Sequence, residues 1–253
     1  MKTLHDTYYL MLRALRESIR QPGVEMQNIF IPFFFFAVTV GAIGNVAGRA
    51  FGVTNFLGFQ MPVAILQAVA GTAGFAGFAT VMDIERGYFD KLLLTPAPRL
   101  SLIFGRLAAD GARAMFLTAL IVVAGLLFGS GMAAGPLGAV ALVVLGGLFA
   151  VAYSGIGVSI ALRTGSPQAA QAGFVVFFPL LFLSPAFAPK EVFADWLEFL
   201  ATVNPVTYIL QGMRGLVLDG WDWASLAGAA GAILGIGSVT FSMTLLALRS
   251  RTA

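Results

Sequence analysis

The sequence predicts an all-α polytopic membrane protein of six transmembrane helices, with an N-terminal amphipathic interface helix and short external re-entrant helices between spans five and six. Three observations predict it. Of 253 residues, 58% are hydrophobic and 11% charged, whereas about a quarter of a soluble domain is charged. The charges also cluster, so that residues 26–48, 50–82, 114–162, 164–189 and 223–248 contain no Asp, Glu, Lys or Arg. A helix crossing a bilayer needs about 20 largely apolar residues. Four of these tracts therefore supply one span each. The tract 114–162 supplies two, broken between Gly129-Ser130-Gly131 and Gly135-Pro136. A soluble bundle would need polar stripes that these tracts lack.

In residues 1–24, Leu4, Tyr8, Leu12, Leu15 and Ile19 recur at three- and four-residue spacing, and Asp6, Arg13, Glu17 and Arg20 fill another arc. That pattern is an amphipathic helix ending near Gln21-Pro22-Gly23, suited to the cytoplasmic membrane surface or to packing on the bundle. It lacks the compact apolar run and small-residue cleavage pattern of a secretory signal. Span one covers 28–47, with the run Phe33-Phe34-Phe35-Phe36, and a short external loop follows at Arg49. Span two covers 59–81, where Gly71, Gly74 and Gly77 suit close helix packing.

The longest inside segment is 83–110. Within 83–98, alternating charges lead to Leu92-Leu93-Leu94 and a turn at Thr95-Pro96-Ala97-Pro98. This suits a short helix lying against another cytoplasmic protein; an ordinary solvated loop is the plainer alternative. Spans three and four cover 112–130 and 137–161, an inside loop runs from Arg163 to Pro167, and span five covers 169–184. Pro185 and Pro189 then end the apolar run. Two short segments occupy 190–218. In the first, Phe193, Trp196, Leu197 and Leu200 share a face. The second opens at Asn204-Pro205, an N-cap followed by proline at the first helical position. Both read as interfacial or partly re-entrant helices, with Trp196, Tyr208, Trp221 and Trp223 at interfacial depth. Span six covers 225–247.

With the N-terminus inside, Lys2, Arg13, Arg16, Arg20, Arg86, Lys91, Arg99, Arg106, Arg113, Arg163, Arg249 and Arg251 face the cytoplasm. Only Arg49, Lys190 and Arg214 fall outside. This imbalance follows the positive-inside rule, places both termini in the cytoplasm, and requires an even span count.

Several function classes are disfavoured. Cysteine is absent and His5 is the single histidine, so no Cys-based metal or redox site and no His-centred catalytic set can be drawn. No phosphate-binding Gly-x-x-x-x-Gly-Lys-Ser/Thr loop occurs. Asp83 and Glu85 stand beside Arg86 at a helix end, where ion pairing or partner contact outweighs a paired-carboxylate role. The span interiors carry no charge, which argues against ion-coupled secondary transport. Their mild polar residues are in the main structural hydrogen-bonding groups. Together they also outline a path for an amphipathic or lipid-like molecule. Gln60, Gln67, Thr72, Phe174 and Phe178 are the candidate pathway residues.

Two stretches carry a resemblance. One is Asp83-Ile84-Glu85-Arg86-Gly87-Tyr88-Phe89-Asp90-Lys91-Leu92-Leu93-Leu94-Thr95-Pro96-Ala97-Pro98-Arg99, followed by Gly105-Arg106. The other is Leu183-Ser184-Pro185-Ala186-Phe187-Ala188-Pro189, then Trp196-Leu197, Asn204-Pro205-Val206-Thr207-Tyr208 and Arg214-Gly215. In this order, among six spans, they resemble the permease subunits of ABC-2 type transporters, particularly the daunorubicin/doxorubicin-resistance type. The resemblance covers nearly the whole chain and implies a single transmembrane domain over 1–253.

It further implies a non-catalytic subunit of the cell membrane, that of a bacterium, acting as a dimer with a second or related permease copy. Each copy would dock on a cytoplasmic ATP-binding subunit that holds ATP and magnesium, while this chain binds no cofactor, metal or nucleic acid. The segment 83–98 resembles the family's coupling helix. Its implied interface takes in Arg13, Glu17, Asp83, Glu85, Arg86, Gly87, Asp90, Lys91, Thr95, Pro96 and Arg99. Pro185, Phe187, Pro189, Trp196, Asn204, Pro205, Tyr208 and Arg214 belong to the implied external hairpin. Export of a drug-like molecule, lipid or glycolipid is the expected function, antibiotic efflux among its forms. An ATP-independent channel or carrier, and a non-transporting assembly protein, are the alternatives; co-purification with a nucleotide-binding protein separates them from the first.

Overall fold

The apolar tracts form long helices because backbone groups inside a bilayer must bond within their own segment. The computed structural model describes residues 2–20, 22–95 and 98–252, and among these it is all helix and connection. Five helices are long and apolar enough to cross a membrane. They are α2 (Pro22–Phe51), α3 (Phe56–Glu85), α5 (Arg99–Leu127), α6 (Gly135–Thr164) and α11 (Trp223–Thr252). The amphipathic α1 (Lys2–Ile19) precedes them, and the short α4 (Tyr88–Leu93) lies between α3 and α5.

The expected fifth span differs from the other five. Residues 169–184 fall in a shorter apolar unit, Pro167–Phe182, made of α7 (Pro167–Ala170) and α8 (Ala172–Phe182). Ser166 caps α7, its Oγ accepting from Ala169 N–H, with Pro167 in the first turn. This unit still runs along much of α3. A Cβ on Gly77 would meet Ala170 at 3.0 Å and one on Gly74 would meet Phe174 at 3.0 Å. At its far end the turn at Pro185 and Ala186 shares a bound side chain with Phe59.

The third span also starts earlier than 112–130 predicts. Helix α5 begins at Arg99, so Arg106 and Asp110, expected in the inside segment 83–110, lie with Arg113 within the long apolar helix. Asp110 and Arg113 are buried. These groups are buried among the helices and pair with one another, so they are not isolated charges.

Helix α3 is the inner helix, with 83% of its most apolar window buried, against 17% for α2 and 28% for α11 at the periphery. Helix α6 packs against α3, α5 and α11. The approach of α3 to α6 needs glycine on both sides. A Cβ on Gly77 would lie 2.8 Å from the Gly157 carbonyl, and one on Gly157 would lie 2.7 Å from that of Ala73. On the other side of α6, Thr240 and Thr244 of α11 donate to the Ala152 and Gly155 carbonyls. Tyr153, buried between Phe149 and Phe177, donates to Gly173 O at 2.9 Å and holds the start of α8.

After α8 the chain makes a 3-10 turn at Lys190–Val192, then α9 (Asp195–Val203) and α10 (Pro205–Arg214), which runs into a π-helical turn at Gly215–Asp219. Asn204 caps α10 as the sequence predicts, its Oδ1 accepting from Val206 N–H at 3.0 Å. Helix α9 departs from the predicted grouping of Trp196 with Leu197 and Leu200. Trp196, Phe199 and Val203 are exposed, while Leu197 and Leu200 are half-buried and Ala201 is buried.

Candidate functional site

Helix α1 crosses the end of the bundle against α5, so closely that a Cβ on Gly105 would press on Leu10 and the Thr7 carbonyl. This seats Arg13 over the last turn of α3. Its Nη1 and Nη2 donate to the two oxygens of Asp83 at 3.2 and 2.5 Å, a bidentate pair. The guanidinium also lies 3.7 Å from the centre of the Tyr88 ring, at the start of α4. Burial acts to lower the pKa of Arg13, but the hydrogen bonds and charge of Asp83, with Tyr88 and Glu17, outweigh it and hold the pKa above the ordinary arginine value. Glu17 approaches Arg13 at 3.8 Å and Arg86 at 3.6 Å. The sequence-predicted residues Arg13, Glu17, Asp83 and Arg86 thus form one ionic joint between α1, α3 and the approach to α4.

Gly87 makes the sharp turn into α4 at φ +65°, a conformation that costs other L-residues about 1–2 kcal/mol. Phe89 then anchors the short helix in a cluster with Ile103, Leu107, Val158 and Leu162. The outer face carries Glu85, Asp90, Lys91 and Leu94, all exposed, with Leu94 87% exposed. Thr95 follows, also exposed, its hydroxyl donating to Leu92 O. Pro96 lies outside the described residues, as does the side chain of Arg99. The short helix is thus charged and solvent-facing, is followed by an exposed leucine, and is held to the bundle by the buried Phe89 ring.

A second ionic cluster sits deeper, and the sequence reading missed it. Ser18 donates to Glu25 at the start of α2. Arg113 pairs with Glu25 at 2.5 Å and with Asp110 at 3.3 Å, while Arg106 approaches Asp110 at 3.8 Å. Arg113 also stacks 4.2 Å from the centre of the Phe75 ring. The 3–4 residue spacing of Arg106, Asp110 and Arg113 was the available signal, since it puts all three on one helix face.

Phe75 leads into a groove between α2, α3 and α8 of about 220 Å³, lined by Gln27, Asn28, Ile31, Gly71, Gly74, Phe75, Phe78, Gln171 and Phe174. A smaller adjoining pocket continues past Phe35, Gln67 and Phe178. Four of these residues carry amides and none carries a formal charge. Gly71 lets the Asn28 amide lie close to α3, since a Cβ there would sit 2.7 Å from Asn28 Oδ1 and push that side chain aside. Asn28 Nδ2 has no hydrogen-bond partner. Of the expected pathway residues, Gln67, Phe174 and Phe178 line this groove. Gln60 and Thr72 instead face the packed interior, Thr72 donating to Val69 O of its own helix.

At the opposite end of α3, Arg214 is buried. Its Nε donates to Phe59 O at 3.0 Å, Nη1 to Pro185 O at 2.5 Å and Nη2 to Ala186 O at 2.9 Å. Asn204 donates to Leu180 O at 2.6 Å, and Tyr208 to Thr202 O at 2.7 Å. Pro185 is buried, Phe187, Pro189 and Pro205 are half-buried, and Trp196 stays exposed. Of the predicted hairpin residues, Arg214, Asn204 and Tyr208 are therefore held by backbone carbonyls, that of Pro185 among them. Among the described residues, no group of His, Cys, Asp and Glu could hold a metal ion.

A family model described as ABC-2 type transporter matches residues 5–218, from α1 through the π-helical turn. The chain is 25% identical over 206 residues to a daunorubicin resistance ABC transporter permease protein of Streptomyces coeruleorubidus, covering 81% of this chain and 72% of that protein. It is 26% identical over 217 residues to a putative transport permease of Porphyra purpurea, covering 85% and 74% respectively. It is also 24% identical over 221 residues to a probable doxorubicin resistance ABC transporter permease protein of Mycobacterium tuberculosis, covering 87% and 78%.

Proposed function

This chain belongs to the ABC-2 type transporter family, and from that premise we propose that it is the permease of an ATP-driven exporter of amphipathic molecules. A separate ATP-binding subunit, holding ATP and magnesium, docks on α4. Two permease copies enclose the pathway, and both termini lie in the cytoplasm. ATP binding draws the docked subunits together, α4 moves, and the path opens outward.

One observation carries this reading: a single helix links the docking surface to the groove. The last turn of α3 carries Asp83, clamped by Arg13 beside Tyr88 of α4. Its Gln67, Gly71, Gly74, Phe75 and Phe78 line the groove. A push on α4 is therefore delivered along one rigid element to the proposed substrate path. The amides and aromatic rings suit a neutral hydrogen-bonding head on an apolar body, such as an aglycone, lipid or glycolipid.

Six crossings are supported by the path of α7 and α8 beside α3. Contacts from Gly77 to Phe59 extend along about 27 Å of that helix at 1.5 Å per residue, close to the roughly 30 Å hydrocarbon core. Helices α9 and α10 then return partway into the outer surface.

The test is transport by the permease reconstituted with its ATP-binding subunit, across a panel of lipids, glycolipids and hydrophobic drugs. Reversing Glu85 and Asp90 to lysine abolishes ATP-stimulated flux while the chain stays folded. Normal flux after scrambling residues 88–94 would sink the docking role.

A further inference from the structure

Helix α1 presents three different faces. Ala14 and Ser18 are buried on one side. Tyr8, at 53% exposure, and Ile19, at 76%, form an apolar arc with half-buried Leu15. Between these faces lies an open groove of about 540 Å³ lined by Tyr9, Leu12, Arg13, Arg16, Glu17, Arg20 and Arg86. Four arginines face a single carboxylate there. Arg13 is committed to Asp83, and Glu17 is shared between Arg13 and Arg86. Arg16 and Arg20, one turn apart and both exposed, have no ion-pair partner among the described residues.

We infer that this arginine groove binds the phosphate of an anionic phospholipid whose acyl chains lie against the Tyr8, Leu15 and Ile19 arc. Charge complementarity favours an anion. The adjoining apolar arc favours a lipid over a soluble one, because the α1 side chains that bind the head continue into a surface fit for acyl chains. Depth agrees: α1 crosses at the last turn of α3, at the end of the bundle where headgroups lie. Arginine suits the task, since its fork matches phosphate oxygens and it stays charged at every physiological pH. The site stands beside the ionic joint, so lipid at Arg16 and Arg20 would hold α1 down on the surface from which α4 is positioned.

The intact permease in neutral detergent is offered phosphatidylglycerol, phosphatidylcholine or glycerophosphate, and bound lipid is measured by native mass spectrometry. Phosphatidylglycerol is retained at least tenfold better than phosphatidylcholine. Arg16→Gln and Arg20→Gln each lower that retention about fivefold and together about twenty-five-fold, as expected for cations at a membrane surface. Arg16→Lys with Arg20→Lys retains most of it. The same melting temperature in all variants excludes loss of the fold; should the double glutamine variant fail to fold, the single variants carry the comparison.

Equal retention of both lipids, or undiminished phosphatidylglycerol binding in the glutamine variants, overturns the assignment. Competition by glycerophosphate at matched concentration would mark a soluble-anion site and overturn it as well. So would glutamine variants that keep phosphatidylglycerol but, in a separate pull-down, no longer retain the ATP-binding subunit, which would make that partner the occupant. Because lipid retention is read on the permease alone, failure here is distinct from failure of the proposed transport.

Discussion

Arg214 gathers the carbonyls of Phe59, Pro185 and Ala186 around one guanidinium, with the Phe59 ring 3.4 Å from its centre. The Pro185 and Ala186 carbonyls lie in the turn after α8, so the side chain supplies partners that the backbone there does not, and ties that turn to α3 at Phe59. Arg214→Ala leaves them bare and should cost about 3 kcal/mol or more, read as a lowered unfolding temperature in detergent. Arg214→Lys should recover only part of the loss, because a single ammonium cannot reproduce the fork. An arginine in the stretch expected outside looks anomalous against the positive-inside count of the sequence. Its structural use explains it.

At the scale of elements, α1, α3 and α4 act as one joint. Arg13 is about one-third exposed and Asp83 about one-tenth, so solvent screens part of their attraction. A double-mutant cycle on Arg13→Gln and Asp83→Asn should give a coupling energy of about 1–2 kcal/mol. Exchanging the two, Arg13→Asp with Asp83→Arg, should restore a measurable share of ATP-driven transport that either single reversal removes. If both singles transport normally, α1 and α3 do not move together. The helix α4 was legible beforehand from its charges and following prolines, and so was the capped start of α10 at Asn204-Pro205. The length of α5 was not, because Arg106 and Asp110 resemble loop charges until Arg113 joins Asp110 to Glu25 of α2.

For the whole molecule, topology and selectivity are the open quantities, and the chain is suited to measuring both. It contains no cysteine, so each introduced thiol labels alone. Ser166→Cys should react with a membrane-impermeant reagent from the cytoplasmic side and Glu191→Cys from the outside. Labelling of both from one side would remove a crossing between them. In the groove, Gln67→Leu with Gln171→Leu removes two neutral hydrogen-bonding groups. Transport of hydroxyl-bearing amphiphiles should fall about tenfold relative to purely apolar compounds, the effect of about 1.4 kcal/mol in lost hydrogen bonding. A uniform fall for both classes would instead mark a packing defect.

Sequence by itself determined the membrane residence, the apolar tracts that become the long helices, the short α4 and the proline breaks around α8, because these depend on local apolar length, prolines and caps. That the fifth of six expected spans is a shorter unit came from the structure. The resemblance carried by residues 83–106 and 183–215 also reached the family. Only the tertiary structure decided which face of each span turns inward. It set Gln67 in the groove but Gln60 in the packed interior, and placed Asp110 and Arg113 inside the bundle. The physical reason is that lipid tails and a packed helix interface are almost equally apolar. A helix apolar all round carries no stripe to announce its buried face, so glycine contacts and distant ion pairs make that choice.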